Sequence, residues 1–162
     1  MGEEEKKATF DELNLKENLL RGIYSYGFEN PSRIQSSSIP YVVEGRDVIA
    51  QAQSGTGKTG SFVIGSLQKL DESLKGTQIL IICPTHELVR QSSDVLKEIS
   101  KHMDVSSMEV VGGTNMDECK RELNKNPQII IGTPGRVLDM IHRKHLFTDK
   151  ISTLIFDEAD EI

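Results

Sequence analysis

Short apolar runs alternating with amphipathic segments constrain what this chain can fold into more than any other feature. The runs fall at 47–51, 78–83, 109–111, 128–132 and 152–156. They are short, bounded by turn residues and rich in Val, Ile or Leu, which is the signature of buried strands. The segments between them read as helices: Lys58 to about Asp71, about Glu87 to Lys101, about Asn115 to Lys125, and about Gly135 to His142. Apolar strands separated by helices predict an α/β domain with a parallel sheet covered on both faces. Two helices are expected upstream. In the first, Leu15, Leu19, Ile23 and Tyr26 recur at helical spacing behind a capping box formed by Asn14 and Glu17, and Gly27 stops it. The second follows Pro31, with Ser32 as its cap and Gly45 at its end.

The 162 residues fit one domain with one core. Residues 1–9 read as a solvated tail and 10–162 as the domain. No apolar run approaches the ~18 residues of a membrane span, so no membrane partner is expected. MGEEEKKATF shows no apolar stretch behind basic residues, so no secretory signal is visible in it. Cys83 and Cys119 lack metal-ligand spacing and read as reduced thiols of an intracellular protein. The net charge of −6 argues against wholesale wrapping of nucleic acid, so any such contact is expected to be local.

In parallel sheets of this kind ligands bind beyond the carboxyl ends of the strands, where this sequence collects its unusual residues. After 47–51 stands AQSGTGKT, a glycine-bearing loop running into a helix. Backbone N–H groups of Ser54 to Thr59 (Ser54, Gly55, Thr56, Gly57, Lys58, Thr59) can point at phosphate, the helix adds its positive end, Lys58 adds a point charge, and the Thr59 hydroxyl can hold Mg²⁺. Position 52 is Ala where the strict pattern has Gly. After 152–156 comes Asp157-Glu158-Ala159-Asp160. A first carboxylate can help hold Mg²⁺ through water, and a second can orient or deprotonate an attacking water. The competing reading is an acidic turn on a solvated rim. Between these ends lie Pro84-Thr85-His86-Glu87-Leu88, Gly112-Gly113 and Thr133-Pro134-Gly135-Arg136. For the last of these, a plain strand-to-helix turn with Pro near the helix start is the competing reading.

GFENPSRIQ with Phe10 upstream, AQSGTGKT, PTHEL, the Gly pair, TPGR and DEAD occur in this order over nearly the whole chain. Together they resemble the DEAD-box ATP-dependent RNA helicases. NLKENLLRGIYSYGFE, DVIAQAQSGTGKTG and FTDKIS look most like the translation-initiation factor four-A subgroup, whose wording related nuclear members share. The resemblance implies the amino-terminal RecA-like P-loop domain of such an enzyme, with ATP and Mg²⁺ as cofactors. Gln35 would read adenine through its amide, with Phe10 packing on the base and Phe28 and Pro31 completing the motif. Ser32 to Gln35 is equally a capping box. Ala52 becomes family usage and, with Gln53, opens the phosphate loop. Lys58 and Thr59 would hold phosphate and metal, Asp157 the metal, and Glu158 would be the catalytic base. Asp160 would link the site to a downstream Ser-Ala-Thr motif. Pro84, Thr85, His86, Gly112, Gly113, Thr133, Pro134, Gly135 and Arg136 would grip the RNA backbone without reading its sequence.

Two departures stand out. The family's usual Arg in PTREL is His86 here, replacing an always-charged planar donor with a ring that, free in water, is mostly neutral at pH 7. Weaker RNA contact is expected there. The family also continues past DEAD into the Ser-Ala-Thr strand and a second RecA-like domain, so the fold is expected to be truncated after the DEAD strand. That strand would lie between 47–51 and 152–156, leaving two unpaired edges. Direct pairing of those two runs would contradict this.

Two functions follow. One is an RNA helicase that couples ATP hydrolysis to duplex unwinding, in the cytoplasm or nucleus, with translation-initiation scaffold proteins as partners. The other is a nucleotide- and RNA-binding half with negligible turnover of its own, awaiting the missing second domain. A P-loop kinase or GTPase fails on the absence of a guanine-reading motif and the presence of the glutamine motif around Gln35.

Overall fold

The computed structural model describes residues 8–53, 55 and 57–162. The described chain falls into two compact units: residues up to Lys69 with Glu98–Met103, and Leu70–Lys97 with Asp104–Ile162. Buried apolar side chains occur in each unit.

The first unit is helical. A 3-10 turn at Asp11–Leu13 leads into α1 (Glu17–Tyr26), α2 (Arg33–Val43) and α3 (Lys58–Lys69). Asn14 does not cap α1, contrary to expectation. It sits at φ 54° and closes the preceding 3-10 turn, a conformation Asn tolerates better than most residues, while Lys16 precedes α1 without a side-chain cap. Gly27 ends α1 at φ 107° as expected. The Ser32 cap is present in full: its Oγ accepts from the Gln35 N–H at 3.3 Å, and the Gln35 Oε1 accepts from the Ser32 N–H at 2.9 Å. Leu19, Ile23, Ile39, Val63, Ile64, Leu67 and Ile99 are buried here. Each such side chain contributes roughly 1.5–3 kcal/mol. The helices approach closely at small residues. A Cβ on Gly65 would meet the Val42 side chain, and one on Gly22 would meet the Ile99 main chain.

The second unit is built on a parallel sheet of β1 (Ile79–Ile82), β2 (Ser107–Val110), β3 (Ile129–Gly132) and β4 (Thr153–Phe156), in the order β2-β3-β1-β4. α4 (His86–Ile99), α5 (Met116–Leu123) and α6 (Pro134–His142) follow the first three strands, with the end of α4 counted in the first unit. α5 is capped by Asn115, whose Oδ1 accepts from the Asp117 and Glu118 N–H groups. Leu80, Ile82, Ile130, Val110, Cys119, Leu123, Val137, Met140 and Leu146 form one apolar cluster, which places α5 and α6 over one face. Ile79, Ile81, Ile129 and Ile131 alternate to the other face and are excluded from water just as completely.

The expected strand at 47–51 does not form. Residues 46–53 have no regular structure, and Ile49 is 101% exposed. A strand exists only through hydrogen bonds to a neighbour, and none of β1 to β4 pairs with this segment. Runs 47–51 and 152–156 therefore do not pair. β4 pairs with β1 alone and forms an edge, with Leu154 53% and Phe156 54% exposed. No helix among the described residues is long and apolar enough to cross a membrane.

Candidate nucleotide site and nucleic-acid interface

Residues expected to hold the nucleotide base and phosphates lie in the first unit, organised by Gln35. This side chain is 1% exposed, and both ends of its amide are engaged. Besides the cap, its Nε2 donates to the Gly57 carbonyl at 3.2 Å, which also accepts from the Ser61 N–H at 3.0 Å and its hydroxyl at 3.1 Å. The capping reading and a link to the phosphate loop are thus both realised. Each amide atom keeps one hydrogen-bonding position in reserve, since Nε2 has two protons and Oε1 two lone pairs. Adenine recognition requires those reserve positions.

Phe10 is fully buried rather than presented to solvent. Its ring stacks on Phe28 at 6.2 Å and meets Tyr24 edge-on at 6.2 Å. The Tyr24 hydroxyl donates to Asp11 Oδ2 at 2.8 Å, which holds that phenol above its ordinary range. Phe28 and Gln35 lie against the start of α3, where a Cβ on Gly60 would meet both, and one on Gly57 would meet Gln35. Pro31 precedes the Ser32 cap. Gly55 and Gly57 adopt φ 83° and 87°, the left-handed backbone a phosphate cradle uses, and α3 opens at Lys58 and Thr59. Ala52 and Gln53 lie in the irregular segment before the loop, while Ser54 and Thr56 fall outside the described residues.

Strand register decides the second unit. Val110, Gly132, Ile82 and Phe156 stand side by side as partners across the sheet. The ladder runs one step further, with the Cys83 N–H donating to the Gly132 carbonyl, Thr133 to Val110 and Asp157 to Ile82, at 2.9–3.1 Å. PTHEL, the Gly pair, TPGR and DEAD therefore emerge at one edge. Thr85 caps α4 by accepting from the Leu88 N–H at 3.2 Å, with Pro84 ahead of it and His86 exposed in the first turn. The His86 Nε2 lies 3.9 Å from where a Gly112 Cβ would sit. A Cβ on Gly113 or Gly135 would meet nothing within 4 Å, which leaves room for another chain's backbone. Thr133 and Pro134 open α6, and the Thr133 hydroxyl makes no cap bond. Arg136 is tied to Thr114, a residue the motif reading passed over because it lies just beyond the Gly pair. The Arg136 Nη1 donates to the Thr114 carbonyl and Oγ1 at 3.3 and 3.2 Å, and Nη2 donates to the carbonyl at 3.2 Å.

Asp157 is 5% exposed, and its Oδ1 accepts from the Glu158 N–H at 3.0 Å. Glu158 sits at φ 50°, a left-handed backbone that is costly for a side-chain-bearing residue and typical of functional turns. Asp160 follows in a short 3-10 turn. Beside Asp157 the Cys83 thiol is pushed up to about 11, first by burial and then by the Asp157 charge, against a smaller lowering by a Ser92 hydrogen bond. It is a protonated, packed thiol at neutral pH.

No cluster of three or more His, Cys, Asp or Glu side chains among the described residues could hold a metal. The Thr59 hydroxyl in the first unit and the Asp157 carboxylate in the second are each a hard oxygen donor of the kind Mg²⁺ prefers.

The DEAD/DEAH box helicase family model matches residues 32–162. ATP-dependent RNA helicase eIF4A of Eremothecium gossypii is 54% identical over 153 residues, covering 94% of this chain and 39% of that protein. ATP-dependent RNA helicase FAL1 of Coccidioides immitis is 51% identical over 154 residues, covering 95% and 39%. In structure, S. cerevisiae Dbp5 bound to RNA and ADP BeF3 superposes with TM-score 0.86 at 38% identity, over 94% of this chain and 38% of that one. The chain thus spans under two-fifths of the relatives' length. With motifs, sheet and family match in agreement, the chain belongs to the DEAD/DEAH box helicases, as an amino-terminal RecA-like domain.

Proposed function

We propose that this chain is the ATP- and RNA-binding half of an ATP-dependent RNA helicase that acts in translation initiation in the cytoplasm. The observation that carries the proposal is the registered strand edge, which delivers three backbone-gripping motifs and the DEAD carboxylates together. Lys58 and the N–H groups at the start of α3 hold the phosphates, and the reserve positions of Gln35 select adenine. Thr59 and Asp157 are the residues that would hold Mg²⁺, which when bound neutralises phosphate charge. Glu158 accepts the proton of the attacking water. His86, the Gly pair and the Thr133-Pro134-Gly135 turn hold RNA by its backbone, so binding carries no sequence preference.

A second reading, binding without turnover, is favoured by the irregular 46–53 segment that leads into the phosphate loop. RNA-stimulated ATP hydrolysis separates the two. If the 162-residue chain turns ATP over faster with RNA, it is an enzyme by itself; if only a longer chain with a second domain does, the chain is the binding half. Failure of the longer chain as well would sink the helicase proposal. For the pathway, the test is pull-down by translation-initiation scaffold proteins.

A further inference from the structure

The guanidinium of Arg136 is turned toward its own protein. All its hydrogen bonds to Thr114 leave from Nη1 and Nη2, and they reach both a main-chain carbonyl and a hydroxyl. That hydroxyl in turn donates to the Val111 carbonyl at 2.8 Å, across the Gly pair. The loop between β2 and α5 is thereby closed on itself by Thr114 and fastened to the first turn of α6 by Arg136. Its charge is partly answered as well: the Asp139 carboxyl, held below its usual range first by the Arg143 hydrogen bond, is lowered further by Arg136. Gly113, at φ 81° with open space around it, has no side chain to fix this loop.

We infer that Thr114 and Arg136 form a positioning tie that sets the Gly112-Gly113 loop against the start of α6, and that Arg136 acts on RNA through this tie rather than as a direct phosphate ligand. The inference rests on the RNA-binding reading of this edge. In this arrangement RNA phosphate meets main-chain N–H groups held in place, and the forked guanidinium does the holding. A lysine keeps the charge but cannot span the carbonyl and hydroxyl of Thr114 at once.

The test measures binding of a fluorescein-labelled oligouridylate to the 162-residue chain across salt concentrations, with amide exchange at 112–115 and melting by circular dichroism. Arg136→Lys and Arg136→Ala are both expected to lose about tenfold in affinity, Thr114→Val a few-fold, and Thr114→Ser almost nothing. The double variant Arg136→Ala with Thr114→Val should bind no worse than Arg136→Ala, because one tie is broken either way. The slope of log affinity on log salt should stay parental, melting should be unchanged, and exchange at 112–115 should quicken in every weakened variant. Parental affinity in Arg136→Lys, or a slope reduced by about one in Arg136→Ala, overturns the tie in favour of a direct phosphate contact. If the parent chain fails to bind RNA, the RNA reading fails separately, and unchanged exchange in Arg136→Ala and Thr114→Val still overturns the tie. Should Arg136→Ala melt early, the comparison of Thr114→Val with Thr114→Ser decides.

Discussion

Replacing Gln35 by Ala tests how the nucleotide site is held together before any ligand arrives. The substitution removes the acceptor for the Ser32 N–H and the donor to the Gly57 carbonyl, both in a position only 1% exposed. A buried hydrogen bond contributes about 1 kcal/mol net, so two give about 2 kcal/mol. The orphaned groups differ. The Gly57 carbonyl keeps Ser61, while the Ser32 N–H loses its partner at the start of a helix and carries the larger share. For a chain of this size 1 kcal/mol moves Tm by roughly 2–4 °C, so Gln35→Ala should melt about 4–8 °C below the parent. Circular dichroism at the helix band is the readout, since the chain has no Trp. Ser32→Ala removes the other half of the box, and the double variant should lose less than the sum of the singles, because the two residues share one network. Binding of a fluorescent ATP analogue should weaken in parallel with the freed phosphate loop. A Gln35→Ala chain that melts within about 1 °C of the parent, yet loses most of its ATP affinity, would refute this reasoning. The amide would then serve the ligand alone.

Gly22→Ala drives a Cβ into the Ile99 main chain, which no rotamer change relieves, and should cost more than about 3 kcal/mol or abolish folding of the first unit, as read by urea melts. His86→Arg restores a forked cation beside Gly112 and should raise oligouridylate affinity several-fold by anisotropy; equal affinity would place the residue outside the RNA path. The Cys83 thiol, ordinarily near 9.0, stays protonated to about 11 in the fold, so the folded state binds more protons than the unfolded between those values. Stability should therefore fall as pH rises from about 9 to 11, and Cys83→Ala should flatten that slope, with native alkylation at pH 8 remaining negligible.

Much of this arrangement is legible in the sequence because it is local. Six helices and four strands were placed within a few residues, since period, Gly27, Ser32 and Asn115 act over one turn of chain. The grouping of PTHEL, the Gly pair, TPGR and DEAD at one edge follows from parallel connectivity alone. Asn14 was misassigned because capping chemistry and left-handed turn chemistry both favour Asn, and only the backbone at φ 54° separates them.

What the sequence could not settle is whatever depends on a neighbour distant along the chain. The run at 47–51 has the composition of a strand, but composition supplies no hydrogen-bond partner, and without one the segment stays irregular with Ile49 in water. The Gln35 amide was legible as a cap. Its second bond, to Gly57, spans 22 residues and exists only because α2 packs on α3. Arg136 read as a bidentate cation for phosphate; the fold also hydrogen-bonds it to Thr114, a pairing across β3 that no local spacing encodes. Sequence by itself determined which chemistry each strand end carries; tertiary packing decided which of those groups are already bound to one another, because a hydrogen bond needs an angle and a distance that periodicity does not contain.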